Sequence, residues 1–254
     1  MRDIRREIQD KLHDIEEQEQ VRVLYAAESG SRAWGTASAD SDYDVRFIYV
    51  RKKEDYLRLQ ELRDVIEWQL DETLDINGWD LKKALVQFHR GNATLFEWAA
   101  SPVVYWNTDS WSRIRETAET CFSEKAALYH YYGTARSTYE EFLTGETVKY
   151  KKYVYALRPI LACRYIEEYH RIPPVSFAEL VQSELPGELK PAVAGMLAVK
   201  EVTGEKDCRP QIPAIRTYIT AELTRLQETA KNKTDDREAD WEALNRVFRM
   251  EIGE

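Results

Sequence analysis

The chain has 254 residues, 43% of them hydrophobic and 32% charged, the composition of a globular protein long enough to bury a substantial core in one or two domains. Its net charge of −9 and pI near 5.2 argue against a general nucleic-acid coat, although a local basic cleft survives such a sum. No apolar run reaches the length of a membrane span and the N-terminus has no signal-like apolar segment, so a cytoplasmic protein without membrane contact is expected.

Cys121, Cys163 and Cys208 are odd in number and widely spaced, which fits buried thiols in a reducing compartment better than a disulfide framework or a zinc site. His13, His89, His130 and His170 show no ligand spacing.

In chain order, Ile4, Ile8, Leu12 and Ile15 mark one face of an amphipathic helix. "VRVLYAA" (residues 21–27) is a short apolar run rich in strand formers. "GSRAWGTASADS" (30–41) is small, polar and glycine-containing, and predicts a turn or loop. From Asp42 the pattern has period two, with Tyr43, Val45, Phe47 and Tyr49 on one face and Asp42, Asp44, Arg46 and Ile48 on the other. "VIEWQL" and "TLDIN" predict further strands or one long bent strand. "DLKKALVQFHRGN" predicts a helix with Asp80 as N-cap and Gly91 as its stop. "SPVVYW" around Pro102 reads as a boundary region. Beyond about residue 110 the chain predicts helices broken by "RIPPVSF", "ELPGELKP" and "RPQIP", with a kink or restart at Pro159. Trp241, Leu244, Val247 and Phe248 share the face of a last helix. The expected fold is α+β: a small mixed sheet flanked by helices over residues 1–108, then a helical domain over 109–254.

Two carboxylates at i and i+2 on one strand face repel each other unless a cation lies between them, and such a pair suits Mg²⁺, whose shell water and phosphate oxygens complete. The preceding Gly30-Ser31 supplies the complement, because a glycine turn exposes N–H groups to phosphate oxygens and serine adds a hydroxyl. Either element alone is usually a turn or a strand edge. The two in order, with a loop between them, point to a site for a metal-bound polyphosphate.

Gly30-Ser31, ten intervening residues, and Asp42-x-Asp44 resemble the signature of the DNA polymerase β-like nucleotidyltransferase superfamily. "GSRAWG…SDYDVR", "LDINGWDLKKAL", "NATLFEW", "SPVVYW" and "KKYVYALRPILACRYI…IPP" further resemble the YcgL-like branch of predicted nucleotidyltransferases. The resemblance implies transfer of a nucleoside monophosphate from a nucleoside triphosphate to an acceptor hydroxyl, with Mg²⁺ or Mn²⁺ held by Asp42, Asp44 and a third carboxylate. Asp75 is favoured as the third because Leu74 and Ile76 take the core face of its strand. Asp80 is the alternative, already explained as a helix cap, and Glu67 and Asp71 stand further off. Gly30 and Ser31 are expected at the phosphates, with Arg32 and Lys152 as candidate nucleotide contacts. Lys149, Lys151 and Arg158 share Lys152's segment, where a solvated basic face over Tyr153, Val154 and Leu157 is the plainer explanation. Trp34 and the tyrosines Tyr129, Tyr131, Tyr132 and Tyr139 offer base stacking or ordinary packing. The implied acceptor is an RNA end, a protein side chain or a small molecule. A non-catalytic nucleotide-binding or antitoxin-type interaction protein is the alternative, which the length and the intact carboxylates disfavour.

Overall fold

The computed structural model describes residues 3–38, 41–69, 73–202, 207–235, 237 and 239–253. Two compact units emerge, one of Met1–Ala33, Ser41–Phe122 and Arg237–Glu254, the other of Trp34–Asp40 and Ser123–Asp236.

The first unit begins with α1 (Ile4–Glu19), capped by Asp3, whose carboxylate accepts from Arg6 N at 3.2 Å. Ile8, Leu12 and Ile15 are fully buried, as their spacing requires. β1 (Arg22–Glu28) follows, then the single helical turn α2 (Gly30–Ala33), where a loop was expected. β2 (Tyr43–Val50) starts one residue after Asp42, which lies exposed outside the strand. A short α3 (Lys53–Tyr56) leads to β3 (Val65–Gln69) and β4 (Leu74–Asp80), two separate antiparallel strands. β4 alternates strictly between buried and half-exposed residues, with Leu74, Ile76 and Gly78 inward and Asp75, Asn77 and Trp79 outward. α4 (Leu81–His89) and α5 (Ala93–Ala99) come next, then β5 (Val104–Asn107) and α6 (Asp109–Glu119). "SPVVYW" is therefore no boundary: it supplies an edge strand that pairs with β1.

Among the described residues the five strands of this unit order β3-β4-β2-β1-β5. β2 and β4 run parallel and the other pairs are antiparallel. One sheet face buries Val45, Phe47, Tyr49, Leu74 and Ile76 against α1. The other is covered at one end by aromatic packing, with Tyr25 stacked on Trp111 at 4.8 Å and Trp79 edge-on to Trp98 at 4.8 Å. The opposite end of that face carries Asp44, Arg46, Asp75 and Asn77, all half-exposed.

The second unit contains α7 (Glu124–Phe142), β6 (Thr147–Lys149), α8 (Tyr150–Tyr169), α9 (Phe177–Glu184), α10 (Lys190–Val202), β7 (Cys208–Pro210) and α11 (Pro213–Asn232). α8 buries residues all round, the pattern of a central helix, and runs through Pro159 without a break. β6 and β7 form a small antiparallel pair that the helical pattern did not announce. Cys121 and Cys163 are buried as expected, but Cys208 on β7 is exposed. Among the described residues no helix is long and apolar enough to cross a membrane.

The two compact units part at Phe122/Ser123 rather than at residue 108/109, because α6 packs on β1 and α4. The last helix, α12 (Trp241–Ile252), returns to the first unit rather than closing the second. Trp241 stacks on His89 at 3.7 Å, Phe248 meets Tyr56 at 5.1 Å, and Arg237 Nη1 donates to the His89 carbonyl at 2.8 Å.

Gly78 pairs with Phe47 in the β2–β4 register, and a Cβ there would strike the fully buried Phe47 ring. Gly78→Ala should therefore destabilise the first unit by about 2 kcal/mol in denaturant unfolding. Phe47→Leu in the same chain should recover part of that loss, because the clash partner is removed; additive losses would refute the steric account.

Candidate active site

β2 and β4 are in register such that Asp44 lies directly opposite Asp75. Parallel neighbours in register project on the same face, so the strand alternation that exposes one carboxylate exposes the other. Their side chains are 37% and 43% exposed, accessible but not fully hydrated. Between them lies Arg46, two residues beyond Asp44 on the same face, whose side chain is 19% exposed. Its Nη1 donates to Asp75 Oδ2 at 2.8 Å and to the Val45 carbonyl at 3.1 Å, and its Nη2 donates to Asp44 Oδ1 at 3.2 Å. The cation that two adjacent carboxylates require is supplied by the strand itself. Burial still raises the Asp44 carboxyl above its ordinary range, with Arg46 opposing and the Asp75 and Asp42 charges adding to the shift.

The other oxygen of Asp44 faces the turn. A Cβ built on Gly30 would lie 2.5 Å from Asp44 Oδ2, and Gly30 has φ +61°, a conformation that side chains with a Cβ rarely adopt. Glycine is thus required twice over, for the turn and for the approach of the carboxylate. Ser29 N donates to the Asp44 carbonyl at 2.8 Å, tying the turn to the strand. Ser31 is half-buried in the helical turn α2.

Glu28 went unnoticed in the sequence. It ends β1, is 1% exposed, and accepts from Asp44 N at 2.7 Å while Tyr105's hydroxyl donates to its other oxygen. Burial raises its carboxyl, and the Tyr105 hydrogen bond opposes that rise. Its register partner is Val45, on the buried face, so it braces the Asp44 backbone from beneath. A carboxylate at the end of an otherwise apolar strand, one residue before the turn, was the available signal.

Arg32 is occupied locally. Its Nε donates to the Asp42 carbonyl at 3.0 Å, its Nη2 to the Ser41 carbonyl at 2.6 Å, and its guanidinium lies 3.6 Å from the Tyr43 ring centroid. It orders the entry to β2 instead of standing free. Asp42 itself is exposed, and among the described residues no three acidic, histidine or cysteine side chains converge closely enough to enclose a metal. The expected triad is thus a close pair, Asp44 and Asp75, with Asp42 nearby on a tethered loop.

Asp80 accepts from Lys82 N at 2.8 Å and from the Tyr56 hydroxyl at 2.9 Å, and burial raises its carboxyl. It lies five residues along β4 from Asp75, about 16 Å at strand rise, and acts as the α4 cap. Glu67 is exposed on β3 and accepts from Asn77 Nδ2 at 3.4 Å, while Asp71 lies outside the described residues.

Lys152 belongs to the second unit, where its ammonium lies 3.5 Å from the Phe142 ring centroid and burial lowers its pKa. Lys149 and Lys151 are half-exposed over buried Tyr153, Val154 and Leu157. Arg158 is buried, donates to the Val175 carbonyl at 3.0 Å, and lies 4.7 Å from the Trp34 ring centroid. Trp34 also meets Tyr155 edge-on at 5.0 Å, so its ring is packed within the helical unit. Of the four tyrosines, Tyr131 is buried in α7 and Tyr129 is exposed.

The donor set suits magnesium: two adjacent carboxylates, partly open to solvent, already holding a cation, and a glycine turn leaving room beside one of them. Asp44 and Asp75 would hold the ion.

Gly30→Ala should cost about 1–2 kcal/mol from the left-handed backbone and push the Asp44 carboxylate aside. Thermal melting should show a folded protein while Mn²⁺ titration shows weakened binding; full Mn²⁺ binding would refute the close approach. Asp80→Ala should lose about 2 kcal/mol by removing the cap and leaving Tyr56 without its acceptor, whereas Asp80→Asn keeps the cap. Because burial raises Asp80 in the folded state, its charge becomes a liability as pH rises past its unfolded pKa. The stability difference should therefore shift toward Asp80→Asn as pH rises above about 4. Both Asp80 variants should keep their Mn²⁺ affinity; its loss would make Asp80 the third ligand.

The profile of the family described as "RlaP: RNA repair pathway DNA polymerase beta family" matches residues 4–250. The chain is 42% identical over 248 residues to "Uncharacterized protein YcgL" of Bacillus subtilis (strain 168), covering 96% of this chain and 95% of the relative. Among solved structures it is similar to a nucleotidyltransferase-like protein from Exiguobacterium sibiricum 255-15, at 11% identity and a TM-score of 0.29, over 97% of this chain and 79% of that one. That last likeness is too remote to carry an argument. With the Gly-Ser turn set against in-register carboxylates and the profile spanning nearly the whole sequence, the chain belongs to the RNA repair pathway DNA polymerase beta family.

Proposed function

We propose that this protein is a metal-dependent nucleotidyltransferase that moves a nucleoside monophosphate from a nucleoside triphosphate to an acceptor hydroxyl, releasing pyrophosphate. The observation that carries this reading is the Asp44–Asp75 pair, in register on adjacent parallel strands, with Asp44 Oδ2 turned to Gly30. Family membership supports the same reaction class.

In this assignment the acceptor oxygen bonds to the α-phosphorus as the bond from that phosphorus to the β-phosphate oxygen breaks. The leaving pair departs with pyrophosphate. A Mg²⁺ ion, when held there, would supply positive charge against the charge that develops on the transferring and leaving oxygens. Asp44 and Asp75 would hold the ion, and Asp42 would join them from the loop that Arg32 orders. Asp75 receives the acceptor's proton, a half-exposed carboxylate able to pass it to water. The N–H groups of the Gly30–Ser31 turn and the Ser31 hydroxyl receive the β- and γ-phosphates. Glu28 fixes the Asp44 backbone, so that the ligand is held before substrate arrives.

The acceptor proposed is an RNA end, which the family's description favours over a protein side chain or a small molecule. A second reading, a non-catalytic nucleotide-binding or interaction protein, draws on one observation: Arg46 already bridges the pair and offsets half its charge, so the fold does not need a metal to tolerate it.

The deciding assay incubates the protein with each α-labelled nucleoside triphosphate and Mg²⁺ or Mn²⁺ in the presence of RNA with defined ends, a protein pool or a metabolite pool. Label should move to RNA, and Asp44→Asn or Asp75→Asn should reduce transfer by about a thousandfold while each variant still folds. Label on protein or metabolite would replace the acceptor. Absence of transfer in every pool, with nucleotide-induced thermal stabilisation that does not depend on the metal, would favour the second reading.

A further inference from the structure

We propose that Arg46 is a built-in competitor for the metal: its guanidinium holds Asp44 and Asp75 in the metal-free protein and must release them for a divalent cation to bind. The inference rests on the reading of those two carboxylates as the metal ligands. Both of Arg46's terminal nitrogens are committed, Nη1 to Asp75 Oδ2 at 2.8 Å and Nη2 to Asp44 Oδ1 at 3.2 Å. The fork is the right width to bridge two carboxylates on neighbouring strands. The Val45 carbonyl, accepting from Nη1 at 3.1 Å, fixes the side chain in that bridging position.

Two features separate this arrangement from an ordinary surface ion pair. Arg46 is only 19% exposed and, among the described residues, pairs with no other carboxylate, so these two acids and the Val45 carbonyl set its placement. It holds one oxygen of each acid, Asp75 Oδ2 and Asp44 Oδ1, while Asp44 Oδ2 is turned to Gly30, so a metal drawn to the same two carboxylates would compete with the guanidinium for their charge. A divalent ion and a guanidinium held by the same pair of acids would repel strongly at such range. Arginine cannot shed its charge at any ordinary pH, so the conflict is resolved only by movement of the side chain. Binding of the metal is then an exchange of one cation for another, and the exchange lowers the affinity for metal alone. A metal arriving with a triphosphate fares better, because the released guanidinium meets phosphate oxygens that accept its fork. The site thereby prefers the metal–nucleotide complex over the free ion.

The test uses the full chain and Mn²⁺ alone, followed by calorimetric titration and thermal melting. Arg46→Gln should bind Mn²⁺ about tenfold tighter than wild type, the size expected from relieving two partly exposed ion pairs. Its melting temperature should fall without metal, because the carboxylates then face each other unscreened, and rise further on adding Mn²⁺ than wild type does. Arg46→Lys keeps the charge without the fork and should lie between the two. A purely structural Arg46 would give lower stability with unchanged or weaker Mn²⁺ affinity, and that result overturns the proposal. Mn²⁺ binding in neither protein would overturn this inference together with the metal site; binding in wild type with no gain in Arg46→Gln overturns this inference alone. If Arg46→Gln is unfolded both with and without Mn²⁺, Arg46→Lys decides, a severalfold gain supporting the proposal and no gain ending it.

Discussion

The parallel pairing of β2 with β4 is the constraint on which the site depends. A parallel ladder with Asp44 opposite Asp75 puts two acids side by side without any loop having to bring them together. The same ladder stacks Val45 beside Ile76 and Phe47 beside Gly78, so the register that aligns the acids is the one that fills the core. A shift of one residue would turn both sets over, burying the carboxylates and exposing the hydrophobic side chains. Core packing therefore protects the geometry of the charged face, and neither can drift without the other.

Charge on that face is partly offset locally. Asp44 is held on three sides: by Arg46 through its side chain, by Glu28 at its amide, and by Ser29 at its carbonyl. Glu28 is shielded in turn by the Tyr105 hydroxyl. The chain's overall acidity says nothing about this region, where one arginine offsets half the charge of two acids within a few ångströms. Bulk charge and site charge are different quantities here, because short-range pairing dominates fields that salt and solvent screen.

Much of this could be read from residue order. Period-two alternation gave the faces of β2 and β4 correctly, since a half-covered sheet imposes that alternation directly, and Asp75 followed from Leu74 and Ile76 on either side of it. Asp80 was legible as a cap for the same local reason. The missed features are those that depend on contacts between distant segments. Glu28 meets Tyr105 across 77 positions, so its place at the end of an apolar strand is a local hint but the partner that buries it is not. Asp42 looked like part of the strand because alternation extends one residue past the point where backbone pairing begins. The edge strand at "SPVVYW" resembled a break because proline and short length dominate a local reading, whereas its pairing with β1 is a long-range fact. The helix through Pro159 survives because its surroundings are buried, and tertiary packing outweighs one lost backbone hydrogen bond.

Residues 123–236 are an insertion within the first unit, whose closing helix comes only after them. This ordering bears on synthesis. As the polypeptide leaves the ribosome, the sheet and α4 through α6 emerge early, yet the partners of His89 and Tyr56 on α12 are made only after residues 123–236. The nascent sheet must wait, with that aromatic flank unprotected, until more than a hundred intervening residues have been translated.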